Sequence, residues 1–295
     1  MVSIGDILIK LDEENIQYDF YGDRNSYIEG FSSLNNYKES TVTWCKNINY
    51  LKDVNIDSIK LIILPEKYQC KFKNYIVVNN PKRIFFFIIE AFFNVEESFQ
   101  DIGNNTFIAD NVKIGKNVKI GKNCVIEGNI TIGDNTIIYN NVNIINKVTI
   151  GNNCVIQTGA IIGHDDFAYT EDECHRKKMI KHYGGVDIGN DVYFGPACIV
   201  NRGTIDDTVV GDGCKIDARC IVSHNVNLGK NSTLIAGSIL HGSVKTGNNV
   251  YIASAIIKNQ LYLGENAFVG LGSVVTKDVE ENTTVAGIPA KPLYR

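Results

Sequence analysis

The chain has 295 residues, a formal net charge of −4 at pH 7, 44% hydrophobic and 21% charged residues, which suits a globular protein of two domains. The net negative charge gives no overall positive potential that would attract nucleic acid. The most apolar run, residues 84–93, is about half as long as a transmembrane helix needs to be. The N-terminus has no basic region followed by an apolar run, so no secretory signal is predicted. The eight cysteines contain no CxxC pair. We therefore expect a cytoplasmic protein with free thiols.

Residues 1–97 lack any repeat and predict a small α/β domain. Near the N-terminus a helical spacing of apolar residues follows Ser3, which is a suitable cap. Apolar runs at 61–64 and 75–78 predict short buried strands. Pro81 then begins a helix that is apolar nearly all round, and we expect it to pack in the core.

Isoleucine occurs at every sixth residue from Ile102 to Ile162. A helix repeats every 3.6 residues and a half-buried strand every two, so neither explains this pattern. A period of six is typical of a parallel β-helix, in which each hexapeptide forms one side of a prism and three make a coil. The strictness of the period predicts the left-handed form. The predicted fold is mainly β: a left-handed parallel β-helix of hexapeptide repeats, preceded by the small α/β domain.

The repeat is expected over residues 98–279, with a polar loop insertion at 164–185 and a C-terminal tail at 280–295. It resumes after the insertion and slips phase before Val210 and again before Leu263. Long loops on rigid scaffolds are common places for function. Small buried residues are expected beside the corners at Cys124, Cys154, Cys198, Cys214 and Cys220.

Among the five histidines, His224 is the candidate catalytic residue because it projects from the outer face of the predicted prism. Asp217 falls on the adjoining side, where a carboxylate can fix the imidazole tautomer and raise its basicity. His241 follows close to one coil later and should stack near His224. His175 and His182 lie in the polar insertion, where we expect them to be solvated.

Two other functional classes remain open on these residues. His164, His224 and His241 are candidate zinc ligands if they converge across subunits, which would suit a hydratase of the carbonic anhydrase type. Their spacing contains no tight ligand pair, and no GxSxG, Walker or HExxH motif is present. A non-catalytic prism that serves as an assembly or sugar-binding module is the other alternative.

Three stretches form an ordered series: Gly163-His-Asp-Asp-Phe-Ala-Tyr169, Asn201-Arg-Gly-Thr-Ile-Asp-Asp-Thr208 and His224-Asn-Val226. With this series the chain resembles the UDP-3-O-acylglucosamine N-acyltransferases of lipid A synthesis, over about residues 1–280. The long middle stretch followed by His-Asn-Val is far more specific than hexapeptides alone, which many acyltransferases share.

The resemblance implies a homotrimer with active sites between neighbouring prisms, and a first domain that grips the uracil of a nucleotide-linked amino sugar. It also implies that His224 is the general base, that Asp217 orients it, and that the backbone N–H of Gly242 stabilises the oxyanion. The substrate-binding positions expected from the resemblance and from the insertion are Trp44, Asn47, Tyr50, Asp165, Phe167, Tyr169 and His241.

The implied reaction moves an acyl group from a thioester donor to a sugar amine, without a metal or a permanently bound cofactor. The donor is either acyl carrier protein or coenzyme A. The family usually carries a C-terminal helical extension that engages the carrier protein, whereas Ala286-Gly-Ile-Pro-Ala-Lys-Pro292 resembles the tail of coenzyme A-dependent sugar acetyltransferases. Lys258-Asn-Gln260 also falls where the family often has a second histidine. Short-chain transfer to another UDP- or dTDP-amino sugar is therefore the alternative activity.

Overall fold

The computed structural model describes residues 1–51, 55–66, 72–94 and 101–293. The chain forms two compact units, residues 1–97 and 98–295. The predicted boundary at residues 97 and 98 and the last two residues of the tail lie outside the described residues.

The first unit is a small α/β fold. Its five-stranded sheet has the strand order Asp19–Tyr21, Tyr75–Val77, Leu61–Leu64, Thr41–Trp44 and Gly30–Phe31. Val2–Ser3 pairs separately with Tyr27–Ile28. The helices are α1 (Ile4–Glu13), α2 (Pro81–Phe93) and the 3₁₀ turns Leu34–Asn36, Ile48–Leu51 and Ile56–Ser58.

Local sequence explains how both helices of this unit begin. The Ser3 side chain accepts from the backbone of Asp6 and the Asp6 carboxylate accepts in return, which is a capping box. Asn80 caps α2, and Pro81 occupies its first position, as predicted. One face of α2 is buried in the core, but Phe86 on another face is 52% exposed, so the expectation of a helix packed in the core is only partly met.

The second unit is the predicted left-handed parallel β-helix. A ten-stranded sheet forms one face: Lys119–Ile120, Ile137–Ile138, Val155–Ile156, Tyr193–Phe194, Lys215–Ile216, Thr233–Leu234, Tyr251–Ile252, Phe268–Val269, Thr284–Gly287 and Ala290–Pro292. A fifteen-stranded sheet bends around a corner to form the rest: Phe107–Ile108, Lys113–Ile114, Val125–Ile132, Asn143–Ile150, Ile161–His164, Val186–Ile188, Ile199–Asn201, Thr208–Val210, Ile221–Val222, Asn227–Leu228, Ile239–Leu240, Lys245–Thr246, Ile256–Ile257, Tyr262–Leu263 and Val274–Val275.

Consecutive coils stack in register, so that equivalent residues lie 18 positions apart over most of the prism. The isoleucines from Ile120 to Ile162 point inward and are buried, as the period of six predicts. Ile102 and Ile114 are 53% and 40% exposed, because the first coil has a neighbouring coil on one side only. Corner asparagines such as Asn123 adopt the left-handed conformation (φ 57°), which asparagine tolerates better than most residues.

The phase slips correspond to coils of unequal length. The insertion separates Ile161 from its partner Ile199, and Ile199 in turn pairs with Ile221 rather than with a residue 18 positions on. The insertion contains an antiparallel hairpin of Tyr169–Glu171 with Lys177–Met179. The tail does not end the sheet at once: Thr284–Gly287 still pairs in parallel, and the chain then turns back as Ala290–Pro292.

The cysteines of the repeat pack inside the prism, as predicted. Cys124, Cys154, Cys198, Cys214 and Cys220 are all buried free thiols. Burial raises the pKa of the Cys214 thiol to about 11, so this group stays protonated and unreactive at neutral pH.

Candidate active site

His224 lies at the corner that follows the strand Ile221–Val222, with its side chain half-buried. Its backbone N–H donates to the carboxylate of Asp166 at 2.9 Å, so the start of the insertion is tied to this corner. Burial raises the pKa of Asp166, but the backbone N–H groups of His224 and Phe167 bind its charged form, and the net pKa lies below the usual value. Asp166 is thus an ionised anchor for the corner.

Asn225 determines which imidazole nitrogen of His224 carries the proton. Its Oδ1 accepts from the backbone N–H and the hydroxyl of Thr204 at 3.1 and 2.8 Å, and its Nδ2 donates to the carbonyl of Asp206 at 2.9 Å. These bonds fix the amide orientation and place Oδ1 3.0 Å from His224 Nδ1. Because an amide oxygen only accepts, Nδ1 must donate, and Nε2 keeps its lone pair.

The imidazole of His224 lies against Gly242, which occupies the equivalent corner one coil later. A methyl group built on Gly242 would overlap Nε2, Cε1 and Cδ2 of His224, so only glycine leaves room for the ring. Among the described residues, the backbone N–H of Gly242 has no hydrogen-bond acceptor. An imidazole nitrogen with a lone pair thus lies against a residue whose backbone N–H is free, and the catalytic roles of His224 and Gly242 stay predictions.

His224 and Gly242 line an open groove of about 760 Å³ on the outside of the prism. Its floor is a row of outward-facing aliphatic side chains on successive coils: Ile221, Ile239, Ile256 and Val274. His241 stands in the same groove, near His224 as expected, and Phe167 borders it from the insertion. The groove continues past Lys258 to Thr276, close to the tail.

Among the described residues of one chain, the Asp217 carboxylate makes no hydrogen bond to the His224 side chain. Its side chain is exposed, and its carboxylate accepts from the backbone N–H groups of Ala218 at 2.7 Å and Ala236 at 3.2 Å. The acceptor found at Nδ1 of His224 is Asn225. The orienting role of Asp217 therefore stays a prediction, and Asn225 is a second candidate for it.

The predicted residues of the insertion divide into two groups. Phe167 is 74% exposed and meets Tyr169 edge to face at 5.7 Å, so both rings are accessible beside the groove. The Asp165 carboxylate instead accepts from the backbone N–H of His182 at 3.2 Å and lies 3.8 Å from the guanidinium of Arg202. The Asp165 carboxylate therefore has internal contacts, and its role in substrate binding stays a prediction.

His182 differs from the expectation that it is solvated, because its side chain is completely buried. Its ring meets the ring of His224 edge to face, with 5.8 Å between the centroids. His175 is exposed, as expected, and contacts Glu171. The hexapeptide pattern describes only the coils, so it gave no signal for how the insertion folds back onto them.

The predicted nucleotide-binding residues all lie in the first unit. Trp44 ends the strand Thr41–Trp44 and packs 6.3 Å from the ring of Phe85. Tyr50 is 66% exposed, and its backbone N–H donates to the carbonyl of Asn47 at 3.0 Å. The two aromatic rings and the amide of Asn47 thus lie within one strand-to-turn segment, residues 41–51.

Within the described residues of one chain, no three histidine, cysteine, aspartate or glutamate side chains cluster as metal ligands. His164, proposed above as a ligand together with His224 and His241, uses its backbone carbonyl to accept from Arg202. Across the same described ranges, no helix is long and apolar enough to cross a membrane.

Comparison with known proteins identifies the repeat. The model of the bacterial transferase hexapeptide matches residues 101–129 and 129–164, and that of the hexapeptide repeat of succinyl-transferase matches residues 207–241. Curated relatives include the UDP-3-O-acylglucosamine N-acyltransferase of Bordetella parapertussis, 33% identical over 110 residues, or 37% of this chain and 30% of the relative. The relative of the same name from a Caulobacter species is 35% identical over 113 residues, 38% of this chain and 33% of the relative. The matched stretch thus spans about a third of these relatives' length.

Solved structures agree on the fold. The UDP-N-acetylglucosamine acyltransferase of Campylobacter jejuni superposes with a TM-score of 0.58 at 23% identity, over 64% of this chain and 72% of that one. The enzyme of the same name from Francisella novicida has a TM-score of 0.58 at 25% identity, over 64% of this chain and 68% of that one. The chain thus carries bacterial transferase hexapeptide repeats over residues 101–164 and 207–241 on a left-handed prism, and its curated relatives include UDP-3-O-acylglucosamine N-acyltransferases.

Proposed function

We propose that the protein is an N-acyltransferase that moves an acyl group from a thioester to the amine of a nucleotide-linked amino sugar. The observation that carries this proposal is the packing of His224 on Gly242, with a bare Nε2 beside a free backbone N–H. Acyl transfer to an amine needs these two elements: a base for the proton and a donor for the developing oxyanion.

The first step is attack of the sugar amine on the thioester carbonyl. As the C–N bond forms, the amine becomes positively charged and must lose a proton. Nε2 of His224 accepts that proton, since Nδ1 already donates to Asn225. The Asn225 oxygen then faces the N–H of an imidazolium, which it favours by a charge-assisted hydrogen bond.

The second step is collapse of the tetrahedral intermediate. The negative charge on the former carbonyl oxygen is stabilised by the N–H of Gly242, and a single fixed donor of this kind is typically worth about 3 kcal/mol. The C–S bond then breaks and the thiolate leaves, so the products are the amide and a free thiol. The proton held by His224 returns to solvent or to the thiolate.

The aliphatic floor of the groove supports an extended thioester donor. The side chains of this floor form an apolar track of about 14 Å, at about 4.8 Å per coil, from His224 towards the tail: Ile221, Ile239, Ile256 and Val274. A second pocket of about 390 Å³ begins at Val275 and is lined by Lys277 and Lys291 together with Asp278 and Glu280. We propose that the two ammonium groups bind the phosphates of coenzyme A, which is the alternative to acyl carrier protein as the donor.

For the acceptor, we propose that Trp44, Asn47 and Tyr50 hold the nucleotide base. The exposed ring of Tyr50 supports stacking, and the Asn47 amide supplies donors and an acceptor for the edge of a base.

We further propose that the protein is a homotrimer, in which a neighbouring prism closes the open groove. The buried free thiols of the prism support a reducing compartment, the cytoplasm.

The decisive experiment offers acetyl-coenzyme A and 3-hydroxyacyl carrier protein separately. Each donor is combined with UDP-3-O-acylglucosamine and with simple UDP- and dTDP-amino sugars, and products are identified by mass spectrometry. Transfer from the carrier protein to the acylated glucosamine alone would support the lipid A reaction. Transfer from coenzyme A to a simple amino sugar would support short-chain surface-glycan chemistry. No amide product from any pair would contradict the proposed function.

Replacing Asn225 with alanine should lower kcat by about 10- to 100-fold, because the imidazole loses the acceptor that fixes its tautomer and ring plane. Steady-state kinetics with saturating donor measure the effect, and Asp217→Asn is the matched comparison. An equal loss in Asp217→Asn, with Asn225→Ala near the native rate, would instead assign the orienting role to the Asp217 carboxylate.

A further inference from the structure

His182 is a buried titratable residue that the mechanism above does not use. Its side chain has no exposed surface, although it belongs to an insertion whose neighbouring residues 165–181 are mostly exposed. Its Nδ1 lies 3.1 Å from the carbonyl oxygen of Ile180, and a carbonyl only accepts, so Nδ1 carries the proton. Its Nε2 is buried and has no hydrogen-bond partner in the described part of the chain.

A buried imidazole nitrogen without a hydrogen-bond partner lowers the stability of the fold relative to an apolar side chain of the same shape. The feature of His182 that bears on the site is its planar ring, which contacts the ring of His224 with 5.8 Å between the centroids and an interplanar angle of 78°.

The backbone around His182 is held firmly. Its N–H donates to Asp165 Oδ2 at 3.2 Å. The buried guanidinium of Arg202 lies 3.8 Å from the other oxygen of Asp165 and donates through Nε to the carbonyl of Gly184 at 2.6 Å. These contacts fix the segment on both sides of His182, and its Nδ1–H bond to Ile180 fixes the ring plane.

We propose that His182 is a positioning residue that holds the imidazole of His224 in the plane required by Asn225 and Gly242. His224 is then confined from three directions: by the Asn225 oxygen at Nδ1, by Gly242 against Nε2, and by the His182 ring edge to face. The catalytic consequence rests on the proposed function, but the positioning itself does not. The insertion then contributes to the site through this ring and through Asp166, whose carboxylate accepts from the backbone N–H of His224.

The test compares His182→Phe with His182→Leu. Both variants remove the unsatisfied Nε2 and keep the backbone N–H that donates to Asp165, but only phenylalanine keeps a planar ring against His224. We expect His182→Phe to retain kcat within about threefold of the native protein. His182→Leu should lose roughly tenfold or more in kcat at unchanged KM, because small misplacements of a catalytic group are costly.

Crystal structures of the two ligand-free variants provide a readout that needs no substrate. In His182→Phe the His224 Nδ1 to Asn225 Oδ1 separation should stay near 3.0 Å, and in His182→Leu the imidazole should leave this position or occupy two rotamers. An unmoved imidazole in His182→Leu would overturn the proposal, whatever the kinetics. Where the native protein turns over substrate, equal kcat in the two variants would overturn it as well. A moved imidazole together with no turnover in the native protein would uphold the positioning and reject the proposed function.

Discussion

Replacing His224 with alanine should lower kcat by about 10²- to 10⁴-fold, the usual contribution of a positioned general base. The sugar amine would then have to lose its proton to water, which is neither positioned nor basic enough at neutral pH. The side chain is half-buried on the outside of the prism, so its removal should leave the fold intact. Turnover with the best donor and acceptor measures the loss of kcat, and circular dichroism checks that the fold is intact.

His175→Ala is the matched control, since His175 is exposed on the hairpin and contacts only Glu171 through its side chain in the described structure. The control should keep the native kcat and KM. Near-native turnover in His224→Ala would remove the general-base role and leave the substrate amine to lose its proton without this residue. A large rise in KM with kcat unchanged would mean that His224 binds substrate rather than accepting a proton.

Replacing Gly242 with alanine should lower kcat by about 100-fold or more. The added methyl group occupies the space of the His224 ring, so the imidazole must swing away from Asn225 and from the N–H of Gly242. Because the clash is with the end of a side chain, the ring moves and the coil stays. Stability measured by urea unfolding should therefore change little, while steady-state kinetics report the loss.

Gly30→Ala is the control of identical chemistry, because a methyl group there meets only Thr41 Cγ2, at 3.9 Å. It should leave turnover unchanged. The double variant His224→Ala with Gly242→Ala gives a further check: if the clash with the ring is the cause, the double variant is no slower than His224→Ala alone. A Gly242→Ala protein with the native rate would contradict the close packing of the two residues.

The sequence was sufficient for the repeating part of the molecule. An inward isoleucine every sixth residue has one stable arrangement, in which each coil covers the apolar side of the next, so Ile120 to Ile162 and the corner cysteines could be placed without coordinates. His241 could be placed near His224 for the same reason, since it follows close to one coil later, whereas Gly242 was named only from the resemblance. Local chemistry was also enough for the caps at Ser3 and Asn80.

What lies outside the repeat had to come from the tertiary structure. Asp217 and Asn225 are both polar residues near His224 in sequence. Only the tertiary structure shows that Asn225, which accepts from Thr204 and donates to the carbonyl of Asp206, places its Oδ1 at Nδ1 of His224. The insertion reads as polar and solvated, yet it folds back so that His182 is buried against His224. Periodicity determines the prism because each coil repeats the same contacts, whereas the loop contacts occur once and leave no pattern in the sequence.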